Sequence, residues 1–331
     1  MSEHVIKVVP IMLEPHTNSD TLSIVRVDGW TCVVKTESWV GQTKAIYIAP
    51  DYVVDTTRPE FAWLNKPGHS TKHRVRVQKL RGVTSYGFLI PAPDDAILGE
   101  NYLERLQVER YEPELHALST KGASCQGPNG YWPVYDLDNY YNRTALLTEG
   151  EEVVISEKLE GSTGRFVFTH GKMFAGCKEW KMEDPNSLWW QCLEQNPWIK
   201  KFCEASPDHM LYGEIYGHLK GFPYGRTSNQ VFFRAFDIFY KGQWLNFDEA
   251  VLLATLNDDC MTTDETKWVP ILYRGPFNIE DTKALSEGQT TVPNVTHIKE
   301  GVVLQPVPDK THPKYGRIKL KIVGSDYLLK S

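Results

Sequence analysis

Hydrophobic and polar positions along this chain change their period from one region to the next. In the first third, apolar side chains come in short β-branched or alternating runs: Val5–Val9, Leu22–Val27, Thr31–Lys35, Lys44–Ile48 and Arg74–Gln78. That is the period-two pattern of strands buried on one face. Asp28-Gly29, between two of these runs, predicts a tight hairpin. Strands of this number and length predict a small OB-type barrel, a common platform for oligonucleotides.

From Pro91 to Gly150 the pattern loosens. Leu98–Val108 predicts a short helix and Ser119–Pro133 a turn-rich loop, so the domain connection is expected here. Beyond Gly150 strand-like runs return at Glu152–Ser156, Arg165–Thr169, Met210–Ile215, Gln230–Tyr240, Val302–Gln305 and Arg317–Ile322. With a helical stretch at Ser187–Ala205, they predict an α+β domain of antiparallel sheets flanked by helices. The expected organisation is residues 1–105 as an OB-fold β-barrel, 106–150 as a linker and 151–331 as the second domain.

Composition adds limits. The 331 residues are 41% hydrophobic and 24% charged, enough core for two globular domains. A formal charge of −6 excludes a chain that is basic throughout, so binding to nucleic acid would need local patches. Two candidates are Lys72–Arg81, which includes Arg74, Arg76 and Lys79, and the C-terminal set Lys310, Lys314, Arg317, Lys319, Lys321 and Lys330. Aromatics reach 12%, and exposed members of Trp30, Trp39 and Trp63 could stack on bases. The six cysteines form no C-x-x-C pair, which favours reduced core thiols over a metal site or disulfides. With no long apolar run and no secretory leader pattern, an intracellular protein without a membrane span is expected.

Candidate chemistry lies in the second domain. Glu157-Lys158-Leu159-Glu160-Gly161 follows a strand and precedes Ser162, Thr163 and Gly164, small residues that permit close backbone approach. Leu211–Gly217 sets Glu214 between glycines where a strand is expected to end, and Phe232–Ile238 is an aromatic strand. Lys299-Glu300-Gly301 sets a carboxylate before an apolar strand, and Arg317–Lys321 alternates basic and apolar residues. Taken singly, these read as a solvated lysine, a turn, core aromatics and an exposed strand.

In this order the five segments resemble the motifs of the covalent nucleotidyltransferase superfamily, which comprises DNA ligases, RNA ligases and mRNA capping enzymes. LYGEIYG, FRAFDIF and KEGVVLQP are similar to nick-sealing RNA ligases, and the layout resembles a group in which an OB domain precedes the ligase domain. Val108–Pro113 resembles that group's linker. Pro15–Leu22 resembles the start of the first strand in some RNA-binding OB domains. One departure is Gln305, where several relatives carry a lysine, which puts one phosphate- or metal-proximal contact in doubt.

The resemblance implies an ATP-dependent RNA ligase that seals 3′-hydroxyl/5′-phosphate breaks through a lysyl–AMP and an AMP-capped 5′ end. Lys158 would be the nucleophile, with Glu300, Lys319 and Lys321 beside it. Glu157 would face the adenine edge, Glu214 would bind the ribose and Phe236 would stack on the base. Gly161, Ser162, Thr163 and Lys178 would complete the ATP contacts. Glu300 would hold Mg²⁺ or Mn²⁺ through water. A free lysine has a pKa near 10.4, so only on the order of one in a thousand is neutral at pH 7. Lys319, Lys321 and the metal are expected to depress that of Lys158.

The implied partner is nicked or broken duplex RNA, held on the N-terminal domain by Arg74, Arg76 and Lys79, and the implied state is a monomer. DNA ligases and capping guanylyltransferases usually place an OB domain after the segment equivalent to Lys319–Lys321. None is expected in the ten residues that follow Lys321 here. A non-catalytic RNA-binding relic is the alternative from another class.

Overall fold

The computed structural model describes residues 5–50, 52–111, 122–217, 219, 221–225, 230–256 and 265–330. Two compact units account for the chain: one is Met1–Pro113, Tyr140–Thr144 and Ser325–Ser331; the other is Glu114–Asn139 and Ala145–Gly324. The chain therefore alternates between units, where the sequence suggested three consecutive segments.

The first unit carries β1 (Val8–Pro10), β2 (Glu14–His16), β3 (Ser19–Val27), β4 (Trp30–Lys35), β5 (Lys44–Ile48) and β6 (Tyr52–Asp55). After these come β7 (Lys72–Arg74), β8 (Val77–Leu80), β9 (Val83–Tyr86), β10 (Phe88–Pro91) and β11 (Glu109–Arg110). Small sheets β1-β5-β10, β2-β3-β4, β11-β6-β7 and β8-β9 surround a core that includes Ile6, Ile46, Ile48, Val54 and Phe61. Each such side chain, taken fully out of water, contributes about 1.5–3 kcal/mol. The predicted turn is real: Asp28 has φ 51° and Val27 pairs with Trp30.

The sequence misjudged two stretches here. Arg74–Gln78 is a junction, ending β7 and beginning β8. Leu98–Val108 forms turns in place of a helix, with Gly99 at φ 85° and Gln107 at φ 51°, backbone that a right-handed helix cannot hold.

The second unit contains two sheets. A seven-stranded sheet runs β12 (Ser124–Cys125), β17 (Trp180–Lys181), β16 (Lys172–Gly176), β15 (Ser162–Thr169), β18 (Met210–Gly217), β19 (Val231–Tyr240) and β20 (Gln243–Trp244). A five-stranded sheet runs β13 (Asp138–Asn139), β25 (Leu320–Val323), β22 (Gly301–Pro306), β14 (Glu152–Lys158) and β21 (Ile271–Pro276). Neighbouring strands in both sheets are antiparallel except β13 with β25, and an isolated bridge between Ala235 and Trp268 is also parallel. Every residue of central strand β22 is buried, as a sheet covered on both faces requires.

The predicted helix at Ser187–Ala205 is two, α2 (Leu188–Gln195) and α3 (Pro197–Ala205), because Pro197 cannot donate a backbone hydrogen bond. A last helix (Ser325–Lys330) belongs with the first unit. No helix among the described residues is long and apolar enough to cross a membrane.

Candidate active site

Strand register gathers the chemistry. Lys158 pairs with Gly301, Ser156 with Val303, and Val303 with Lys321. Directly paired residues share a face, as do residues two apart, so Lys158, Lys321 and Gln305 lie on one face of the five-stranded sheet, and Lys319 sits just before the strand that bears Lys321. In the other sheet Thr163, Glu214 and Arg234 form one row across β15, β18 and β19.

Between β14 and β15 the chain turns at Gly161, where a Cβ would stand 2.1 Å from the carbonyl oxygen of Ile215. Only glycine fits, so the turn behind Lys158 is pinned against β18, the strand that bears Glu214.

The ammonium of Lys158 lies 2.7 Å from Glu300 Oε1, both side chains partly covered at 21% and 14% exposure. Burial by itself lowers the lysine pKa. The carboxylates of Glu300, Glu214 and Glu160 outweigh it and hold the ammonium above its usual range. The expected depression by Lys319 and Lys321 is therefore overturned, because the groups that dominate around this amine are anionic.

Among the described residues no cluster of three or more metal-ligating side chains forms. A Mg²⁺-like ion retains several waters and takes one or two carboxylates. The hard oxygens of Glu300 and Glu214 around one lysine fit such an ion.

The two acidic residues near Lys158, Glu157 and Glu160, are held differently. Glu157 is 1% exposed. It accepts from Thr290 Oγ1 at 2.5 Å, Thr291 N at 2.8 Å and Thr291 Oγ1 at 2.6 Å. Its side chain points to the opposite sheet face from Lys158, since adjacent strand residues alternate, so the carboxylate expected at the adenine edge instead tethers a loop. Glu160, to which the sequence assigned no role, also faces the Lys158 ammonium electrostatically. It accepts from Phe222 N at 2.9 Å, while its own N–H donates to Tyr224 Oη at 2.8 Å.

Ser162 and Thr163 are half-buried at the start of β15, close behind Gly161. Lys178 is exposed in the turn between β16 and β17, its carbonyl accepting from Arg165.

Lys319 is only 8% exposed and donates to Asp237 Oδ2 and to the Phe236 carbonyl, both at 2.9 Å. Burial and the neighbouring Arg317 push its pKa down, against the pull of Asp237. Arg317 reaches both Asp237 and Asp309 at 2.7 Å, and Gln305 donates to Asp309 at 2.7 Å. The departure at Gln305 thus places an amide where it caps a buried ion network. The C-terminal basic patch is not a patch: Arg317 and Lys319 are internal, and Lys310 pairs with Glu151 at 2.6 Å.

Within the first unit Arg76, Lys79 and Arg81 are exposed. Lys72 pairs with Glu109 at 2.7 Å, and Arg74 covers the ring of Tyr111 at 4.0 Å. Of the three tryptophans, Trp30 and Trp39 are core residues at 8% and 7% exposure, whereas Trp63 is 62% exposed. Trp63 alone has the surface that base stacking needs.

Comparison with known proteins places the chain. An OB-fold domain model matches residues 4–92. A lysine-to-alanine variant of a Naegleria gruberi RNA ligase, solved with ATP and manganese, is similar at 22% identity. It has a TM-score of 0.81 and covers 99% of both chains. The same organism's RNA ligase with pyrophosphate matches at 23% identity, TM-score 0.80 and 99% coverage of both. At these identities the likeness establishes the fold. No curated protein sequence matches the chain. The RNA ligase family model covers residues 151–323, just over half of the chain and every motif residue from Glu157 to Lys321, and the chain belongs to the RNA ligase family.

Proposed function

We propose that this protein is an ATP-dependent ligase that joins an RNA 3′-hydroxyl to a 5′-phosphate by way of a lysyl–AMP on Lys158. The observation that carries the reading is the Lys158–Glu300 pair, set among Glu214 and Glu160 on a turn that only glycine can form. The related ligases were solved with ATP, AMP and pyrophosphate, which are the substrate, the transferred group and the leaving group of such a step, and with manganese.

The amine of Lys158 attacks the α-phosphorus of ATP. An N–P bond forms, the bond from that phosphorus to the bridging oxygen breaks, and pyrophosphate departs. The ammonium must first lose a proton, and Glu300 Oε1 at 2.7 Å is within reach to receive it. Through water, Glu300 would hold a divalent cation such as Mg²⁺ or Mn²⁺, which would supply positive charge to the phosphates. AMP then passes to the RNA 5′-phosphate, and the 3′-hydroxyl displaces it. Phe236 stacks on adenine, Glu214 binds the ribose, and Lys321 meets phosphate from the sheet face it shares with Lys158. Ser162 and Thr163 line the turn beside them.

In this reading the second unit carries the ligase chemistry and the N-terminal unit carries the OB domain. The OB domain holds duplex RNA through Arg76 and Lys79, and the protein acts as a monomer. The test is incubation with α-labelled ATP, and separately GTP, with Mg²⁺, followed by a denaturing gel. Label from ATP that is lost in Lys158→Ala is expected. No label on folded protein free of pre-bound AMP would overturn the reading and favour a nucleic-acid-binding relic.

A further inference from the structure

The segment before the nucleophile strand carries no recognised motif, yet it is built into the wall of the site. Arg165 stacks on Trp180 at 4.1 Å and donates to the carbonyls of Trp132 (3.2 Å) and Pro133 (3.3 Å). Tyr212 Oη donates to the Pro133 carbonyl at 2.5 Å. Three hydrogen bonds from two side chains to two successive carbonyls fix this strap across β15 and β18 and leave little freedom at Tyr135, two residues on.

Tyr135 meets two candidate ATP-site groups at once. Its ring lies 4.6 Å from that of Phe236, and its hydroxyl donates to Asp237 Oδ2 at 2.8 Å. The same oxygen accepts from Lys319 and Arg317. The Lys319 ammonium sits 5.7 Å from the Tyr135 ring and 5.8 Å from the Phe236 ring, within range of both π-faces. A carboxylate oxygen with three donors in a buried site is worth more as a unit than bond by bond.

We propose that Tyr135 is a positioning residue for adenylylation, its ring backing Phe236 and its hydroxyl fixing Asp237 so that the Lys319 ammonium is held in one place. This rests on the ligase reading. The ring and hydroxyl have separable tasks: backing Phe236 concerns ATP affinity, whereas fixing Asp237 and Lys319 concerns the chemical step.

The test measures single-turnover enzyme–AMP formation across ATP concentrations for wild type, Tyr135→Phe, Tyr135→Leu and Tyr131→Phe. The last removes a hydroxyl from an exposed residue of the same strap. For Tyr135→Phe the maximal rate is expected to fall about tenfold, with the half-saturating ATP concentration within about twofold of wild type. Tyr135→Leu should also raise that concentration about tenfold, and Tyr131→Phe should match wild type. Both Tyr135 variants should melt cooperatively, so a loss in active fraction cannot mimic the split. Wild-type rate and affinity in Tyr135→Phe, or equal losses in both Tyr135 variants, would overturn the proposal. Absence of label in wild type would remove the ligase reading, and this inference with it.

Discussion

The ammonium of Lys158 and the carboxylate of Glu300 stand 2.7 Å apart, so the proposed nucleophile has beside it a charge that favours its protonated form. Glu300→Gln removes the nearest charge that keeps the Lys158 pKa high. The reactivity of Lys158 toward an amine-acylating reagent, followed by peptide mass spectrometry against pH, should then rise at lower pH than in wild type. An unchanged profile would mean that Glu300 does not govern this proton.

Asp237 should dominate the stability of the second unit. Asp237→Ala leaves Arg317 and Lys319 buried without their shared partner, a loss of about 3–5 kcal/mol measurable by urea unfolding at pH 7. Lys319 and Arg317 hold the Asp237 carboxyl below its ordinary range, against burial, which raises it. The folded pKa lies below the unfolded one, so the stabilisation is present above about pH 4 and fades as pH falls through the folded value. The gap between wild type and variant should accordingly narrow in acid.

Gly161→Ala would drive a methyl group into the Ile215 carbonyl, 2.1 Å away. Because a shift of about 1 Å at a reacting group can cost about 10²-fold in rate, enzyme–AMP formation should fall by that order in protein that is still folded by circular dichroism.

In the first unit, Arg76→Ala and Lys79→Ala should each reduce the slope of log affinity against log salt by about one in RNA-binding titrations. Trp39→Ala should instead cost about 3–5 kcal/mol of stability and leave that slope alone, because the ring is buried. A changed slope in Trp39→Ala would show that the indole reaches RNA after all.

Much of this was legible in the sequence because it depends on local pattern. Strand alternation located β5 at both bounds and β4 and β22 with bounds close by, while β3 begins earlier, at Ser19, and β14 and β18 run on to Lys158 and Gly217; Asp28-Gly29 marked its hairpin. Resemblance to the family's motifs singled out Lys158, Glu214 and Glu300; Lys158 closes β14 and Glu300 directly precedes β22, whereas Glu214 lies inside β18. What stayed hidden depends on partners far along the chain. Glu157 and Lys158 are neighbours in sequence, but alternation sends one to Thr290 and the other to Glu300. Lys319 looked like an exposed cation until folding brought Asp237, 82 positions earlier, against it. Tyr135 had no signal at all, since its role arises from where Arg165 and Tyr212 hold the strap. Asp237 was the one missed residue with a visible cue, a charge inside the aromatic run Phe232–Phe239.

The assignment of residues 140–144 and 325–331 to the same compact unit as the N-terminal barrel has a consequence for how the gene can be cut or shuffled. No single breakpoint separates the two units into whole pieces. A fragment that stops near residue 113 lacks two pieces of the unit it was meant to isolate, and one that begins there carries those pieces without the rest. Recombination that exchanged the front half between relatives would have to swap three separate stretches together, so the two units are expected to be inherited as a block.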